Sequence, residues 1–525
     1  MSQPPPPSGY GYPPPGPPGP PAPPQMPQQP YGSQQPQMPQ MPQQGPLPGP
    51  PTGPPPGGGR ASRRRQQSKS PVGVIVGAVV ALALVAGGVW LAVGSDSGDD
   101  GGGGKGGDSA SGTVDAQLLN KIPMPKVDEL VNTPGMWVTD KNWVKSDVNK
   151  IVGYPLAGGA AAWEIPLKGE LCWASPQVTE AGLTAVLFQD DSTDNPVCTQ
   201  IGLVDLKKGK LLWTKQGRET GEWASDRPIM FDEVSIGGDT VAAGGISGGA
   251  AWSIDGKPLW MPDDDEDCSD NGYVGEGPKL IAVRECEVSG SPQLEVQTVD
   301  PKTRAVKSSY KVTSGIEYAH VVSTDPLVIG VNAGDSSGAG VSDFLAIDDS
   351  GKEGKLLSKF GMQGGKYEAD CEATNVGGCA EIAVSKSANK LYLGTDYRAS
   401  AASGPSNEIV AIDLKTGKVT AKADGAEGGP LVPVSLDKDG SLIAYQEATL
   451  SQGSAVWRVD TKSYEKKKLM QNPEETAFIE SVSLHHQVIY AGGRLYIGNS
   501  SASKPSTDSS DPDKKSPLAL VLGAK

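Results

Sequence analysis

The most extreme hydrophobic pattern in the chain is an uninterrupted apolar run at residues 72–93, which contains no charged residue. As a helix rising about 1.5 Å per residue it would span roughly 33 Å. A hydrocarbon core is about 30 Å thick, so the run predicts one transmembrane helix. The alternative is a cleaved signal peptide, but its apolar region is usually about 7–15 residues long and lies near the N-terminus.

From about Val114 onward, short runs of β-branched and aromatic residues alternate with turn residues, and helical periodicity is nearly absent. One unit recurs: a strand ending in an apolar residue and Asp, a turn with Lys and Gly, and a second short strand. It is clearest at residues 202–213 and 251–260. Its aspartates stand at positions 205, 255, 300, 348, 413 and 460, spaced by 50, 45, 48, 65 and 47 residues. We attribute the long step to a Gly/Ser/Ala-rich loop near residues 398–406.

A β-repeat of about 40–50 residues is typical of a propeller blade. One four-stranded sheet has two apolar faces and cannot cover both, so neighbouring sheets stack in a ring. Seven copies of the unit are visible, and an eighth set of strands runs from about Phe478 to residues 518–522 without an outermost strand. We expect residues of about 115–132 to supply that strand, which favours eight blades over seven.

The patterns predict an all-β propeller preceded by one transmembrane helix and a disordered tail. The Pro/Gln/Gly-rich tail has too little apolar surface to offset the entropy of ordering. A functional interpretation of this tail is a cytoplasmic docking arm for an aromatic groove or a self-associating segment, and the simpler interpretation is a solvated segment without a dedicated partner. The predicted segments are a tail with a basic juxtamembrane cluster (1–71), the helix (72–93), a Gly/Asp/Ser-rich linker (94–113) and the propeller (114–525).

Charge is distributed asymmetrically about the predicted helix. Residues 1–59 carry no charge, and a basic cluster follows immediately before the helix: Arg60, Arg63, Arg64, Arg65 and Lys69. Basic residues beside a span stay cytoplasmic, which predicts a single-pass membrane protein with its N-terminus inside and its propeller outside. All 61 acidic residues but only 41 of the 46 basic ones follow the helix, a net charge of −20. This surface excludes nucleic-acid binding and argues against binding flat on anionic lipid.

All six cysteines follow the helix: Cys172, Cys198, Cys268, Cys286, Cys371 and Cys379. An even number outside the cytoplasm indicates disulfides, and six cysteines allow fifteen pairings. We favour pairing between sequence neighbours, 172–198, 268–286 and 371–379. A zinc site is the alternative, but there is no CxxC motif and there are only three histidines, His320, His485 and His486.

Within the predicted helix, Gly73 and Gly77 form a GxxxG motif. Small residues at this spacing let two membrane helices approach closely, so a weak homodimer through these glycines is a hypothesis. Glycine is also common in membrane helices generally, which is the simpler explanation.

The repeated unit, a strand followed by Val/Ile-Asp-x-x-x-Gly-Lys-x-Leu-Trp, resembles the PQQ-like propeller repeat. The resemblance covers residues 130–525 and is strongest at 204–213 and 412–418. It implies a bacterial protein anchored in the cell membrane, and it implies one of two branches of the family. Quinoprotein dehydrogenases hold their cofactor with calcium, an adjacent Cys-Cys disulfide and a stacking Trp, whereas a non-catalytic branch, which includes an outer-membrane assembly lipoprotein, serves as a scaffold. This sequence has no adjacent cysteines and no matching calcium set, so it is more similar to the second branch and PQQ is not expected.

Two motifs suggest chemistry but have simpler explanations. Gly245, Ser247 and Gly249 fit the G-x-S-x-G pattern of hydrolases, which requires a following helix. Here the strand-like residues 250–254 follow, which predicts a hairpin turn. The acidic run 263–267 could bind calcium, but consecutive carboxylates do not converge and are more often solvated.

Aromatic and histidine residues also have structural explanations. Four tryptophans occupy positions in the repeat that predict blade packing rather than stacking platforms: Trp213, Trp252, Trp260 and Trp457. His485 and His486 would point to opposite faces of one strand and so could not share a metal.

We therefore predict a non-enzymatic binding or scaffold module at the cell envelope, with an unidentified envelope protein or ligand as its partner and no catalytic, cofactor or metal residue assigned. Candidate binding loops are residues 191–195, 263–270 and 500–516. The alternatives are a quinoprotein oxidoreductase, a hydrolase of envelope glycans, and a sensor that signals through the Pro-rich tail.

Overall fold

The computed structural model describes residues 112–191, 196–220, 228–262, 267–288, 291–333, 340–362, 366–371, 375–400, 404–482, 486–504 and 515–525. The predicted tail, the predicted transmembrane helix with its GxxxG motif and nearly all of the linker lie outside these residues. Across the described ranges, the structure contains no helix with the length and apolar character needed to cross a membrane.

Eight sheets follow one another along the chain, and within each blade the strands are antiparallel and in sequence order. Two N-terminal strands are the exceptions: one completes the last blade, and the other pairs in parallel with the outermost strand of blade 7. Three short strands precede the first sheet: β1 (Val114–Asp115), β2 (Gln117–Pro123) and β3 (Val131–Asn132). Blade 1 comprises β4 (Met136–Val138), β5 (Asn142–Asp147), β6 (Lys150–Pro155) and β7 (Trp163–Pro166). Blade 2 comprises β8 (Leu171–Ala174), β9 (Leu183–Gln189), β10 (Cys198–Asp205) and β11 (Lys210–Lys215). Blade 3 comprises β12 (Glu233–Gly237), β13 (Thr240–Gly244), β14 (Ala250–Ser253) and β15 (Pro258–Trp260).

The next three blades keep this order. Blade 4 comprises β16 (Cys268–Glu276), β17 (Lys279–Val288), β18 (Ser291–Val299) and β19 (Val306–Lys311). Blade 5 comprises β20 (Ala319–Thr324), β21 (Leu327–Val331), β22 (Asp343–Asp348) and β23 (Lys355–Gly361). Blade 6 comprises β24 (Tyr367–Glu368), β25 (Ile382–Ser385), β26 (Lys390–Thr395), β29 (Ile409–Asp413) and β30 (Lys418–Ala423), with a small hairpin of β27 (Arg398–Ser400) and β28 (Gly404–Ser406) inserted after β26.

Blade 7 and blade 8 are separated by the only described helices. Blade 7 comprises β31 (Leu431–Leu436), β32 (Leu442–Gln446), β33 (Ala455–Val459) and β34 (Lys466–Gln471). A 3₁₀ turn (Glu474–Thr476) and α1 (Ala477–Ser481) follow. Blade 8 comprises β35 (His486–Ala491), β36 (Arg494–Asn499) and β38 (Pro517–Gly523), while β37 (Ser501–Ala502) pairs with β3 outside the blade.

The ring is closed by the N-terminal strand β2, which forms the outermost strand of blade 8. It runs antiparallel to β38, with Leu118 opposite Leu522 and Lys121 opposite Leu520. This confirms the eight-bladed fold and the supply of the missing strand from the segment near residues 115–132. One boundary was wrong: Phe478 lies in α1, and the first strand of blade 8 begins only at His486.

The repeated aspartate closes the turn between the third and fourth strands of a blade. Oδ1 of Asp413 accepts hydrogen bonds from the N–H groups of Lys415 and Thr416 at 3.2 and 3.0 Å. Gly417 completes this turn at φ 65°, in the left-handed region where glycine is unstrained. The Asp-x-x-x-Gly spacing of the repeat therefore follows from turn geometry.

Apolar contacts between neighbouring blades form the core. Trp252 is only 2 % exposed and packs with side chains of blades 2 and 3, while the indole N–H of Trp213 donates to Ile254 O at 2.8 Å across the same boundary. Trp260 and Trp457 also pack against buried clusters. All four repeat tryptophans thus lie in packing positions, as the sequence predicts.

The structure contains three disulfides, Cys172–Cys198, Cys268–Cys286 and Cys371–Cys379, which are the neighbour pairings favoured above. The first two join strands within blades 2 and 4. The third closes a loop in the long connection between β23 and β25. The extra length in the 65-residue step therefore divides between this connection and the β27–β28 hairpin, whereas the sequence interpretation assigned it to the hairpin region alone.

Candidate functional site

The innermost strands of the eight blades surround a central channel. They are β4, β8, β12, β16, β20, β25, β31 and β35, and residues from all of them line a cavity of about 800 Å³. Because each blade begins at its innermost strand, two kinds of connection emerge at the same face: those between blades and those between second and third strands. We call this the loop face.

A loop from blade 6 enters the channel near the loop face; we call residues 375–379 of this loop the plug. Val376 is 4 % exposed and packs with Val274 and Val321 of blades 4 and 5. The N–H of Val321 donates to Val376 O at 2.7 Å, and Nδ1 of His320 contacts Asn375 O at 2.6 Å. A carbonyl only accepts, so Nδ1 of His320 carries the proton, while burial lowers the pKa of this histidine.

Glu233, the first residue of β12 in blade 3, also holds the plug. Its carboxylate is 3 % exposed and accepts hydrogen bonds from the N–H groups of Val376 and Gly377, both at 3.0 Å. Burial raises the pKa of Glu233 to about 8, although the hydrogen bonds from these N–H groups lower the pKa. Gly272 makes room for it, since a Cβ there would lie 1.7 Å from Oε1 of Glu233.

Both features have a signal in the sequence. Glu233 is a carboxylate at the start of a strand that continues with the apolar and small residues Val-Ser-Ile-Gly, and such a residue requires a partner when buried. The 65-residue step contains both Cys371 and Cys379, which indicates a constrained insertion between blades. The partner of Glu233 could not be predicted, because it lies about 140 residues away and bonds through backbone N–H groups.

Beyond the plug, polar side chains line the channel towards the opposite face. Oε1 of Gln177 accepts from the hydroxyls of Ser175 and Ser235 at 2.9 and 3.3 Å. Oε2 of Glu276 accepts from the hydroxyl of Thr324 at 3.0 Å. These groups hydrogen-bond to one another and form a hydrophilic rim between neighbouring blades.

Five carboxylates gather at the mouth of the channel on the loop face of blades 6 and 7; we call them the acidic cluster: Glu368, Asp370, Glu381, Asp396 and Glu447. Burial and the charges of Glu447, Asp370 and Glu368 raise the pKa of Glu381 to about 7. Burial, together with the charges of Asp396 and Glu447, raises the pKa of Glu368, and burial raises that of Glu447. Mutual repulsion therefore contributes to this site.

Rising pH is expected to destabilise the propeller through Glu233 and Glu381. Their folded pKa values of about 8 and about 7 exceed the ordinary 4.5, so the folded state keeps protons that the unfolded chain releases. The stabilisation from these bound protons is complete below about pH 4.5 and is lost as pH rises through the folded pKa values. The free energy of unfolding then falls by up to about 1.4 kcal/mol per pH unit for each group. Urea unfolding from about pH 5 to 8.5 measures this, and Glu381→Gln should flatten the curve below pH 7. An unchanged slope in this variant would contradict the assignment.

Exposed apolar side chains are concentrated on the loop face. Thirteen large apolar side chains are exposed among the described residues, and seven lie on connections of this face: Leu130, Met230, Ile246, Tyr318, Tyr397, Leu450 and Phe478. Five others lie on outermost strands: Leu118, Leu212, Val306, Leu356 and Leu357. Only Val178 lies on a turn of the opposite face. The two ends of the propeller therefore differ in surface chemistry.

The structure places the other sequence candidates as follows. Residues 245–249 connect β13 to β14 as a hairpin loop, which confirms that the G-x-S-x-G match is not a strand-to-helix elbow. Four segments lie outside the described ranges: 192–195, 263–266, 483–485 and 505–514. The interpretations of the acidic run, of His485 and of much of the three candidate loops therefore stay predictions. Within the described part of the chain, no group of three or more His, Cys, Asp or Glu residues is arranged to hold a metal ion.

Comparison with known proteins finds similarity only at the level of structure. No protein-family model matches the sequence, and no curated protein matches it significantly. Similar solved structures include BamB from Moraxella catarrhalis (10 % identity, TM-score 0.40, covering 78 % of this chain and 100 % of that one). They also include the quinohemoprotein alcohol dehydrogenase ADHIIG from Pseudomonas putida HK5 (11 % identity, TM-score 0.43, covering 78 % of this chain and 76 % of that one). A third is the quinohemoprotein alcohol dehydrogenase from Comamonas testosteroni (12 % identity, TM-score 0.41, covering 79 % of this chain and 77 % of that one).

Proposed function

We propose that this protein is a non-enzymatic binding module of the bacterial cell envelope, held at the membrane by the segment 72–93, with a PQQ-like propeller outside the cell membrane. Its loop face is the surface that binds a partner protein. The observation that carries this proposal is the placement of seven of the thirteen exposed large apolar side chains on that one face. Exposed apolar side chains collected at one end of a domain favour an interaction surface there.

The plug supports this proposal because it occupies the channel mouth with backbone and a buried valine. Val376 and Glu233 are both nearly inaccessible, so protein fills the part of the channel where the plug meets blades 3, 4 and 5. A protein partner does not need to enter the channel, since loops presented on a rigid scaffold are sufficient for recognition.

The proposal is tested by purifying the full chain from its own cells with its partner attached. Replacing Ile246, Tyr397 and Leu450 by serine should reduce the co-purified partner at least tenfold relative to the unaltered chain. Replacing Leu212, Leu356 and Leu357 of the outermost strands by serine is the matched control and should leave the yield unchanged. Equal loss in both triple variants would contradict a role for the loop face.

A hydrolase of envelope glycans is a second candidate, favoured by one specific observation. Glu381, with a pKa of about 7, lies among other carboxyls at the channel mouth, and glycosidases use one protonated and one ionised carboxyl. The purified protein would then cleave peptidoglycan fragments, and Glu381→Gln would abolish this activity. Absence of cleavage across glycan substrates would remove this candidate and leave the binding proposal standing.

A further inference from the structure

We propose that the loop face of blades 6 and 7 binds an extended segment of a partner protein that combines basic and apolar side chains. This inference rests on the proposed function and assigns the chemistry of the partner. It stands on two features that meet in this sector, namely three exposed apolar side chains on anchored supports and the acidic cluster beside them.

The three apolar side chains belong to neighbouring connections. Tyr397, 51 % exposed, directly follows Asp396 after β26 of blade 6. Leu450, 73 % exposed, lies between β32 and β33 of blade 7, three residues after Glu447. Phe478, 37 % exposed, lies in α1 between blades 7 and 8. Two of the three apolar side chains therefore closely follow a residue of the acidic cluster in the chain.

Hydrogen bonds anchor the connection that carries Leu450. The N–H of Thr449 donates to Gln452 O at 2.9 Å, and its hydroxyl accepts from the N–H of Gln452 at 3.1 Å. This closed turn presents Leu450 at its tip. The N–H of Glu447 also donates to Pro430 O at 3.0 Å, which fixes the base of the connection.

Hydrogen bonds also anchor the connection that carries Tyr397, at the point where the chain returns to the sheet of blade 6. Nδ2 of the buried Asn407 donates to Thr395 O and Leu431 O at 3.1 and 2.9 Å, and its Oδ1 accepts from the N–H of Leu431 at 2.7 Å. The N–H of Glu408 donates to the Thr395 hydroxyl at 3.0 Å. These bonds fix the bases of the connection and join blade 6 to blade 7.

The helix that carries Phe478 is fixed by Glu480, which is 2 % exposed. Its carboxylate accepts from the N–H of Ser454 at 3.2 Å and from Nδ2 of Asn472 at 2.9 Å, and also from the hydroxyls of Ser454 and Thr476. The exposed apolar side chains therefore project from segments that hydrogen bonds hold at their bases, which lowers the entropy cost of binding.

The acidic cluster determines the charge of the partner. Among the described residues, none of its five carboxylates forms an ion pair with a lysine or arginine. Other carboxylates of blade 6 do form ion pairs: Glu408 pairs with Lys422 at 2.7 Å, and Asp413 pairs with Lys390 at 3.8 Å. Basic side chains of a partner would relieve the repulsion within the cluster and complement its charge.

The same charge argues against two other occupants. The part of the chain after the predicted helix has a net charge of −20, so a second copy would bring like charge against the acidic cluster. An anionic lipid surface is repelled for the same reason. A basic segment with apolar side chains complements both features at once.

The test uses the purified full chain in a neutral detergent and a short fluorescent peptide of Lys, Leu and Ser. We expect fluorescence anisotropy to show binding that weakens with added salt. A peptide with Glu in place of Lys, and one with Ser in place of Leu, should each bind at least tenfold more weakly. Equal binding of the Glu peptide, or no binding of the Lys/Leu peptide, would overturn the inference.

Variants of the protein show which surface the peptide binds. The double variant Tyr397→Ser/Leu450→Ser should weaken peptide binding about tenfold, and Glu447→Gln should reduce its salt dependence. The control double variant Leu212→Ser/Leu357→Ser on outermost strands should bind as the unaltered chain does. Equal weakening by the control would overturn the assigned sector. If the peptide fails while the cellular partner still depends on Ile246, Tyr397 and Leu450, the partner chemistry is wrong and the proposed function stands.

Discussion

Replacing Glu233 by alanine is expected to lower the free energy of unfolding by about 3 kcal/mol. The change removes the acceptor for the buried N–H group of Val376 and the half-buried N–H group of Gly377. An unsatisfied buried donor costs about 1–3 kcal/mol, and the lost side chain also leaves a cavity. Urea unfolding at pH 6 measures the loss. Hydrogen exchange at the two amides, which should accelerate, shows whether the plug is released.

Glu276→Ala is the matched control for this variant. Glu276 also lines the channel, at the opposite end, but it is exposed and accepts one hydroxyl hydrogen bond. Its loss should cost less than about 1 kcal/mol, as is usual for exposed sites. If Glu233→Ala costs no more than Glu276→Ala and exchange at Val376 does not change, Glu233 does not hold the plug.

Deleting residues 117–123 from the full chain is expected to destabilise the propeller by at least about 3 kcal/mol. The deletion removes β2, and with it the half-buried Leu119 and Ile122, each contributing about 1.5 kcal/mol through burial. It also leaves β38 as an unpaired edge, which is a template for aggregation. Thermal unfolding and protease resistance of the purified chain measure the effect.

The control deletes a segment of equal length, residues 101–107, from the predicted linker. This Gly-rich segment precedes every described strand, so its loss should leave the unfolding temperature of the propeller unchanged. An unaltered unfolding temperature after deletion of 117–123 would contradict ring closure by β2.

Local signals were sufficient to predict most of the fold. The Asp-x-x-x-Gly turn requires a capping side chain and a left-handed residue, as at Asp413 and Gly417, and both requirements are visible in the sequence. The missing outermost strand of the last blade could be assigned by counting strands. The start of blade 8 was placed too early, because the apolar residues near Phe478 belong to a short helix that no periodicity of that length reveals.

The candidate site was harder to predict because it is built from long-range contacts. Glu233 bonds to backbone groups of a distant loop, and a backbone N–H has no sequence signature. The acidic cluster joins Glu368 and Glu381 of blade 6 to Glu447 of blade 7, and only the ring topology brings these two blades together. The exposed apolar residues are single in the sequence and become a surface only when their connections emerge at one face.

The central claim is that the loop face, and no other surface of the propeller, contacts a partner in the cell envelope. It is tested most directly by photo-crosslinking in living cells, with a photoreactive amino acid placed at one position of the full chain at a time. Positions 246, 397 and 450 of the loop face should form a discrete adduct, while positions 178, 212 and 357 should not. Adducts of equal yield at all six positions, or adducts confined to 178, 212 and 357, would contradict the claim.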